Sequence, residues 1–144
     1  EILFLNDATQ SMIYTFAGYP VSKSKVRPNI VQSEPYFYSG HSVSKDVYLK
    51  YGYNPNLHII IEYGRHLSVT PAGEKIYPPF LRGISGGGIY VWPEDFQGQF
   101  LPTGRKLVGL VHTYKQNEDL LIGTNIQAFI KCIAINNPQL IVEI

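Results

Sequence analysis

The chain has 144 residues, of which 44% are apolar, and this is enough material for the core of one domain spanning residues 1–144. Its formal net charge of +1 excludes the strong positive field that draws proteins to nucleic acids or acidic membranes, so we expect neither as a partner. The single cysteine, Cys132, excludes an internal disulfide and a cysteine metal cluster, and no apolar run approaches the ~18 residues that cross a bilayer. The sequence assigns no compartment; cytoplasm is only the default for a chain with this cysteine usage and no visible signal peptide.

Short β-strands are the main predicted elements. Ten prolines and 13 glycines divide the chain into brief apolar, β-branched and aromatic runs, which is typical of an all-β fold. The continuous run 59–61 indicates a strand buried on both faces, and we expect it and the strand at 12–19 to be central. The polar segment 22–29 is predicted to be a solvated loop. The predicted strands are residues 2–5, 12–19, 36–38, 47–51, 58–63, 88–92 and 106–113.

One segment near the end of the chain has helical periodicity. Its apolar residues recur at i, i+3, i+4, i+7 and i+8, which places them on one face of a helix over 125–134. Thr124 or Asn125 can cap its first turn, and Pro138 ends it. We therefore expect a single C-terminal α-helix packed on a β-body.

A serine within a glycine cluster is the strongest candidate for chemistry. Ser85 lies in the segment Gly83-Ile84-Ser85-Gly86-Gly87-Gly88, which leads directly into an apolar run. Glycines permit positive φ and close approach of a substrate, and successive N–H groups of such a turn can point at one oxyanion. These residue types indicate acyl transfer with Ser85 as nucleophile.

Three interpretations of this segment differ in the context they require. A phosphate-binding loop needs a preceding strand, a following helix and a Lys-Ser/Thr pair, none of which the sequence contains here. A G-x-S-x-G nucleophile elbow, with Asp95 and His112 following in order, needs a strand-to-helix turn. A loop-to-strand serine fits the segment best, because an apolar run that is predicted to be a strand follows directly.

The order of these segments resembles the C-terminal half of a trypsin/chymotrypsin-like serine peptidase, in the bacterial trypsin-like and glutamyl-endopeptidase-type branch. The resemblance rests on segments 16–20 (FAGYP), 83–87 (GISGG) and 106–112 (KLVGLVH), followed by the terminal helix, and it covers residues 12–135. It implies an antiparallel six-stranded barrel of the chymotrypsin-like type. The digestive enzymes have Asp where this chain has Ile84, so activation through that Asp is not expected.

The resemblance also implies roles for individual residues. Ser85 would attack the scissile carbonyl, and the N–H groups of Gly83 and Ser85 would form the oxyanion hole. The main chain of Val111, His112 and Thr113 would flank a polypeptide substrate by strand pairing. Residues 78–82 and 114–123 would border the specificity pocket.

The base that would activate Ser85 is not evident in this chain. The family carries His and Asp on an N-terminal barrel, and the residues before Ser85 are already used by strands that resemble the second barrel. We therefore expect an N-terminal barrel segment, absent here, as the partner that supplies both. Among the histidines present, His41 with Asp46 is the best internal pair.

A metal site formed by His58, Glu62 and His66 is not expected either. The two histidines would lie about 26 Å apart on a straight strand, given a rise of ~3.3 Å per residue. We expect no metal and no cofactor.

The sequence thus predicts a serine endopeptidase that is incomplete as this chain alone. The alternatives are a non-catalytic peptide-binding module on a peptidase-like barrel and a small G-x-S-x-G esterase-type hydrolase.

Overall fold

A computed structural model describes residues 13–64, 68–70, 72–91 and 105–140. The predicted strand at 2–5, Trp92, Asp95 and His66 lie outside the described residues. Over these described residues the fold is mostly β, with one six-stranded antiparallel sheet that curls into a half-barrel and two α-helices. The sheet strands are β1 (Ile13–Gly18), β4 (Tyr36–His41), β5 (His58–Glu62), β8 (Gly88–Val91), β9 (Lys106–Lys115) and β10 (Leu120–Asn125).

The strand order in this sheet is β4-β1-β8-β9-β10-β5. Its two end strands approach each other where Ser42, just after β4, forms an antiparallel bridge with Ile61 of β5, and the Val43 N–H donates to Ile60 O at 3.2 Å. Through this bridge β8, β1, β4 and β5 become neighbours in the 4-1-2-3 order of a Greek key. The curled sheet can therefore enclose side chains on its inner face.

Two apolar clusters pack on opposite faces of β5. Ile59 and Ile61 point into the half-barrel with the aromatic rings of Tyr14, Phe16 and Tyr63, whereas Ile60 points outward. The outer cluster joins Ile60 to Ile122, Leu120 and Tyr48, a residue of the helix that covers this face. The predicted burial of 59–61 on both faces is confirmed. The expected central position is wrong, because β5 is an end strand of the sheet; its outer face is buried by the helix that carries Tyr48.

The predicted strand at 47–51 is wrong, because these residues form helix α1 (Lys45–Tyr51). Val47, Tyr48 and Tyr51 fall at i, i+1 and i+4, a spacing that a helix places on one face, and that face packs on the outer cluster. The helix ends at Gly52, whose φ of 72° is left-handed and whose N–H donates to Leu49 O.

The predicted loop at 22–29 is also wrong in part. A 3₁₀ turn (Val21–Lys23) precedes a two-stranded hairpin, β2 (Ser24–Arg27) and β3 (Ile30–Ser33), joined at Pro28 and Asn29. The β-branched residues on both sides of this turn favour extended backbone. A second short hairpin pairs β6 (Ser68–Val69) with β7 (Lys75–Ile76).

The terminal helix is confirmed as α2 (Ile126–Asn136). The Asn125 side chain accepts the Gln127 N–H at 3.0 Å, so Asn125 rather than Thr124 provides the cap. A 3₁₀ turn at Pro138–Leu140 follows the helix. Strand β10, which directly precedes Ile126, was not predicted and pairs with both β9 and β5.

Candidate active site

The loop that carries Ser85 begins with a turn over residues 81–84, and the first and last residues of this turn are buried in the core. Leu81 and Ile84 are buried at 0% and 2% exposure, and both belong to the inner cluster. The Ile84 N–H donates to Leu81 O, and the Gly87 N–H donates to Ile84 O, each at 3.0 Å. Two consecutive turns therefore fix the backbone on either side of Ser85, whose side chain is exposed.

Two glycines of this loop have left-handed backbone. Gly83 has a φ of 82° and Gly86 a φ of 89°. At Gly83 a Cβ would also lie 2.6 Å from Cγ2 of Val21, so both conformation and space require glycine there. The sequence pattern of small residues around Ser85 thus has a geometric cause.

Some N–H groups of this loop form main-chain hydrogen bonds and others do not. Those of Ile84, Gly86 and Gly87 donate to main-chain oxygens at 2.8–3.0 Å. Those of Gly83 and Ser85 have no acceptor among the residues that the structure describes. Because buried or fixed N–H groups are normally paired, two unpaired donors beside an exposed serine can bind an oxyanion.

Strand β9 holds the other side of the loop. Val111 accepts the Gly86 N–H and donates its own N–H to Gly87 O, both at 2.8 Å. The Ser85 hydroxyl donates to the main-chain oxygen of His112 at 3.1 Å. His112 is the extra residue of a β-bulge, because Ile122 pairs with Thr113 and Gly123 with Val111.

Val111, His112 and Thr113, which were predicted to bind substrate, differ in whether their main-chain groups are available for hydrogen bonding. Val111 is buried and its N–H is already bonded to the loop, so it cannot pair with a substrate through that group. Among the described residues, no strand pairs with β9 beyond this point on its β8 side. The main chain at His112 and Thr113 therefore lies next to an edge at which no described strand pairs, although the His112 oxygen accepts the Ser85 hydroxyl.

The His112 side chain is part of a small polar group rather than of the Ser85 contacts. Its Nδ1 is 2.8 Å from the Thr113 hydroxyl, and its ring centroid is 6.1 Å from that of His58. Desolvation, followed by repulsion from His58, lowers the pKa of His112 below its ordinary value. A neutral imidazole is thus favoured here.

A pocket of about 500 Å³ is lined in part by Ser85. Phe37, Tyr90 and Arg105 line it together with the glycine loop and the end of β1. The Arg105 guanidinium lies 5.2 Å from the ring centroid of Tyr90 and 5.9 Å from that of Phe37, a cation–π arrangement. Sequence reasoning missed these three residues because only the sheet register brings them together: Phe37 pairs with Ala17, which pairs with Gly88.

Among the described residues, no histidine ring is hydrogen-bonded to Ser85. His41 pairs with Ile13 at one end of β1, whereas the Ser85 loop packs on Gly18 at the other end. Five residues of strand separate them, or about 16 Å at ~3.3 Å per residue. His41 with Asp46 is therefore not the base in this arrangement.

The described residues contain no cluster of three or more His, Cys, Asp or Glu side chains that could hold a metal, although His66 of the set considered above is not described. None of the helices that the structure describes is long and apolar enough to span a membrane. A search of protein-family models and of curated proteins found no match to this chain.

Proposed function

We propose that this chain is the serine-bearing half of a serine endopeptidase of the trypsin/chymotrypsin-like type, with Ser85 as nucleophile. The observation that carries the proposal is the hydrogen-bond pattern of the Ser85 loop: the N–H groups of Gly83 and Ser85 have no acceptor among the described residues. Both donors belong to a segment that is anchored at Leu81 and Ile84, so they require little reorganisation to meet a developing negative charge.

In the proposed reaction, Ser85 Oγ forms a bond to the scissile carbonyl carbon while its proton passes to a histidine. The carbonyl oxygen becomes an oxyanion that accepts from the Gly83 and Ser85 N–H groups. Collapse of the tetrahedral intermediate breaks the C–N bond, and the histidine gives its proton to the leaving amine. Water then repeats the sequence on the acyl-enzyme and releases the acid.

The histidine and its orienting Asp come from outside the described residues in this proposal. In the structure the Ser85 proton points at the His112 main-chain oxygen, an acceptor that cannot take it. An N-terminal barrel segment that packs beside Ser85 and presents a His/Asp pair would redirect this proton. The six-stranded antiparallel sheet with Greek-key neighbours is consistent with the barrel type that uses such a partner.

The unfilled edge of β9 at His112 and Thr113 fits the same reaction. An extended substrate segment added there would run along β9 and bring its carbonyl to the Ser85 loop. The pocket lined by Phe37, Tyr90 and Arg105 also borders Ser85 and would take a further part of the polypeptide.

A non-catalytic peptide-binding module is the second candidate. The observation that favours it is the lack of any histidine ring against Ser85 in the described part of the chain, because a serine without a base is a poor nucleophile. The edge at Thr113 would then hold a peptide without cutting it. An elbow-type esterase is less compatible with the geometry, since the loop enters strand β8 instead of a helix.

Covalent labelling with a fluorophosphonate tests the proposal, with intact mass as the readout. The full-length gene product should gain one adduct at Ser85, and Ser85→Ala should abolish it. Ser22→Ala is the matched control, because Ser22 is also exposed and also donates to a main-chain oxygen, that of Phe80, at 2.9 Å.

Three results would separate the candidates. Labelling of the full-length protein but not of residues 1–144 alone places the base on another segment, as proposed. Labelling of the 144-residue chain by itself would overturn the requirement for an N-terminal barrel. No labelling in either form, together with retained binding of a peptide, would establish the binding module.

A further inference from the structure

A second cavity, of about 300 Å³, lies at the other end of β1 from the Ser85 loop. Tyr14 lines this cavity, whereas Gly18 lines the Ser85 pocket. The two residues are about 13 Å apart along the strand at ~3.3 Å per residue, so the cavities are separate sites. We call this cavity the cationic pocket.

The charged side chains of the cationic pocket have one sign. Lys45 at the start of α1 and Lys131 of α2 both line it, and no Asp or Glu is among its lining residues. Neither lysine forms an ion pair with another described residue. Two lysines that line one small volume, with no acidic residue in the same lining, raise its affinity for an anion.

A helix terminus adds to this charge. Asn125 and Gln127, the cap and the second residue of α2, line the pocket. The Asn125 side chain accepts the Gln127 N–H, and the first turn of α2, which is the positive end of the helix dipole, borders the pocket.

Tyr14 provides an independent indication of a ligand. Its side chain is 2% exposed, yet its hydroxyl has no hydrogen-bond partner among the described residues. The neighbouring Tyr48 hydroxyl, by contrast, accepts the Ile60 N–H at 2.9 Å. Burial raises the pKa of Tyr14 to about 12, so at neutral pH its hydroxyl is protonated and can donate to a ligand in the pocket that Tyr14 lines.

We propose that the cationic pocket binds a phosphate group, as inorganic phosphate or as a phosphomonoester. Lys45, Lys131 and the start of α2 would offset its charge, and the Tyr14 hydroxyl would donate to one of its oxygens. A phosphate has more acceptor oxygens than a carboxylate, and donors that reach the pocket from β1, α1 and α2 can each meet a different oxygen. This site does not depend on the chemistry at Ser85.

The test is a titration of the full chain with inorganic phosphate at low ionic strength, followed by amide chemical shifts in ¹⁵N–¹H spectra. We expect saturable shifts at Asn56, Gln127 and Lys131. Phenyl phosphate in a parallel titration distinguishes the two sources: tighter binding than inorganic phosphate indicates a monoester, and weaker or equal binding indicates the free ion.

Substitutions test the named residues. Lys131→Gln and Lys45→Gln should each raise the dissociation constant about tenfold, and Tyr14→Phe should raise it several-fold while keeping the ring. Lys25→Gln, on the exposed hairpin, is the control and should leave it unchanged. Ser85→Ala should also leave it unchanged.

Two results would overturn the proposal. One is the lack of shifts at the pocket amides up to tens of millimolar phosphate. The other is an equal effect of Lys25→Gln and Lys131→Gln, which would mean that phosphate senses only the overall charge. The exposed side chain of Lys131 can be replaced without disturbing the core, so the test stands even if Tyr14→Phe does not fold.

Discussion

The Ser85 loop and the β2–β3 hairpin are both short excursions from the curled sheet, but they are held in different ways. The hairpin pairs Val26 with Val31 and bonds mainly to itself, and all residues of β3 are exposed. The loop makes few local bonds, yet Leu81 and Ile84 are buried in the inner cluster and Val111 bonds to it twice. Tertiary anchors, together with the two local turn hydrogen bonds, therefore give the candidate active site its fixed shape.

The largest expected effect comes from removing an anchor. Ile84→Ala leaves a cavity beneath the loop and should lower the free energy of unfolding by about 2–5 kcal/mol, as measured by urea denaturation. In the full-length protein, the folded fraction of this variant should also label more slowly at Ser85 than the parent protein. A loss below about 1 kcal/mol would mean that the loop does not depend on the core.

A methyl group added beneath the loop should cost somewhat less. In Gly87→Ala the new Cβ would lie 2.7 Å from Ala17 O, a main-chain atom that cannot rotate away. We expect a loss of about 1–3 kcal/mol in unfolding free energy. Gly64→Ala is the control, because its Cβ would be 3.6 Å from the nearest atom, the Tyr38 hydroxyl, and its loss should be smaller.

A smaller, pH-dependent effect is expected at His112, whose main-chain oxygen accepts the Ser85 hydroxyl. Its pKa is lowered in the folded protein, so the unfolded chain binds a proton first as the pH falls. This contribution to stability should therefore be level above about pH 6.5 and should decrease as the pH falls from about 6.5 to the folded pKa. Urea denaturation between pH 4 and pH 8 should show this decrease in the parent and a shallower one in His112→Asn; identical profiles would contradict it.

The smallest effect is expected on the hairpin. Val31 is 69% exposed, so Val31→Ala should change the unfolding free energy by no more than about 0.5 kcal/mol. Thermal denaturation of the two proteins side by side is sufficient to measure this. A loss above about 1 kcal/mol would show that the hairpin packs on another part of the protein.

The sequence predicted those parts of the fold whose signal is local. Alternation and β-branched runs identified β1, β4, β5, β8 and β9, and the helical stripe with its Asn125 cap identified α2. Residues 47–51 failed because a short apolar run fits a strand and a helix equally well, and the decisive cluster with Ile60 and Ile122 is formed only in the folded chain. Strand β10 was missed because its identity depends on pairing with β9 and β5.

The candidate site also has features that local sequence predicts and features that only the folded sheet creates. The glycine pattern around Ser85 is local, so the loop could be identified from the sequence alone. Arg105 and Phe37 are distant in sequence and meet only through the register of four neighbouring strands. The oxyanion role of the Gly83 and Ser85 N–H groups was expected from the family resemblance, whereas the two hydrogen bonds that join the loop to Val111 were not specified by any sequence pattern.

The strand order also has a kinetic consequence. Ala17 of β1 pairs with Gly88, and Ile61 of β5 pairs with Leu121, so the sheet joins segments that are far apart in the chain. Such non-local pairing requires long loops to close, at a cost in chain entropy, before the strands can bond. Domains dominated by non-local β pairing fold in about milliseconds to seconds. Since the Ser85 loop is held by β9, we expect its shape to form only in the late phase of refolding, after the collapse of local hairpins.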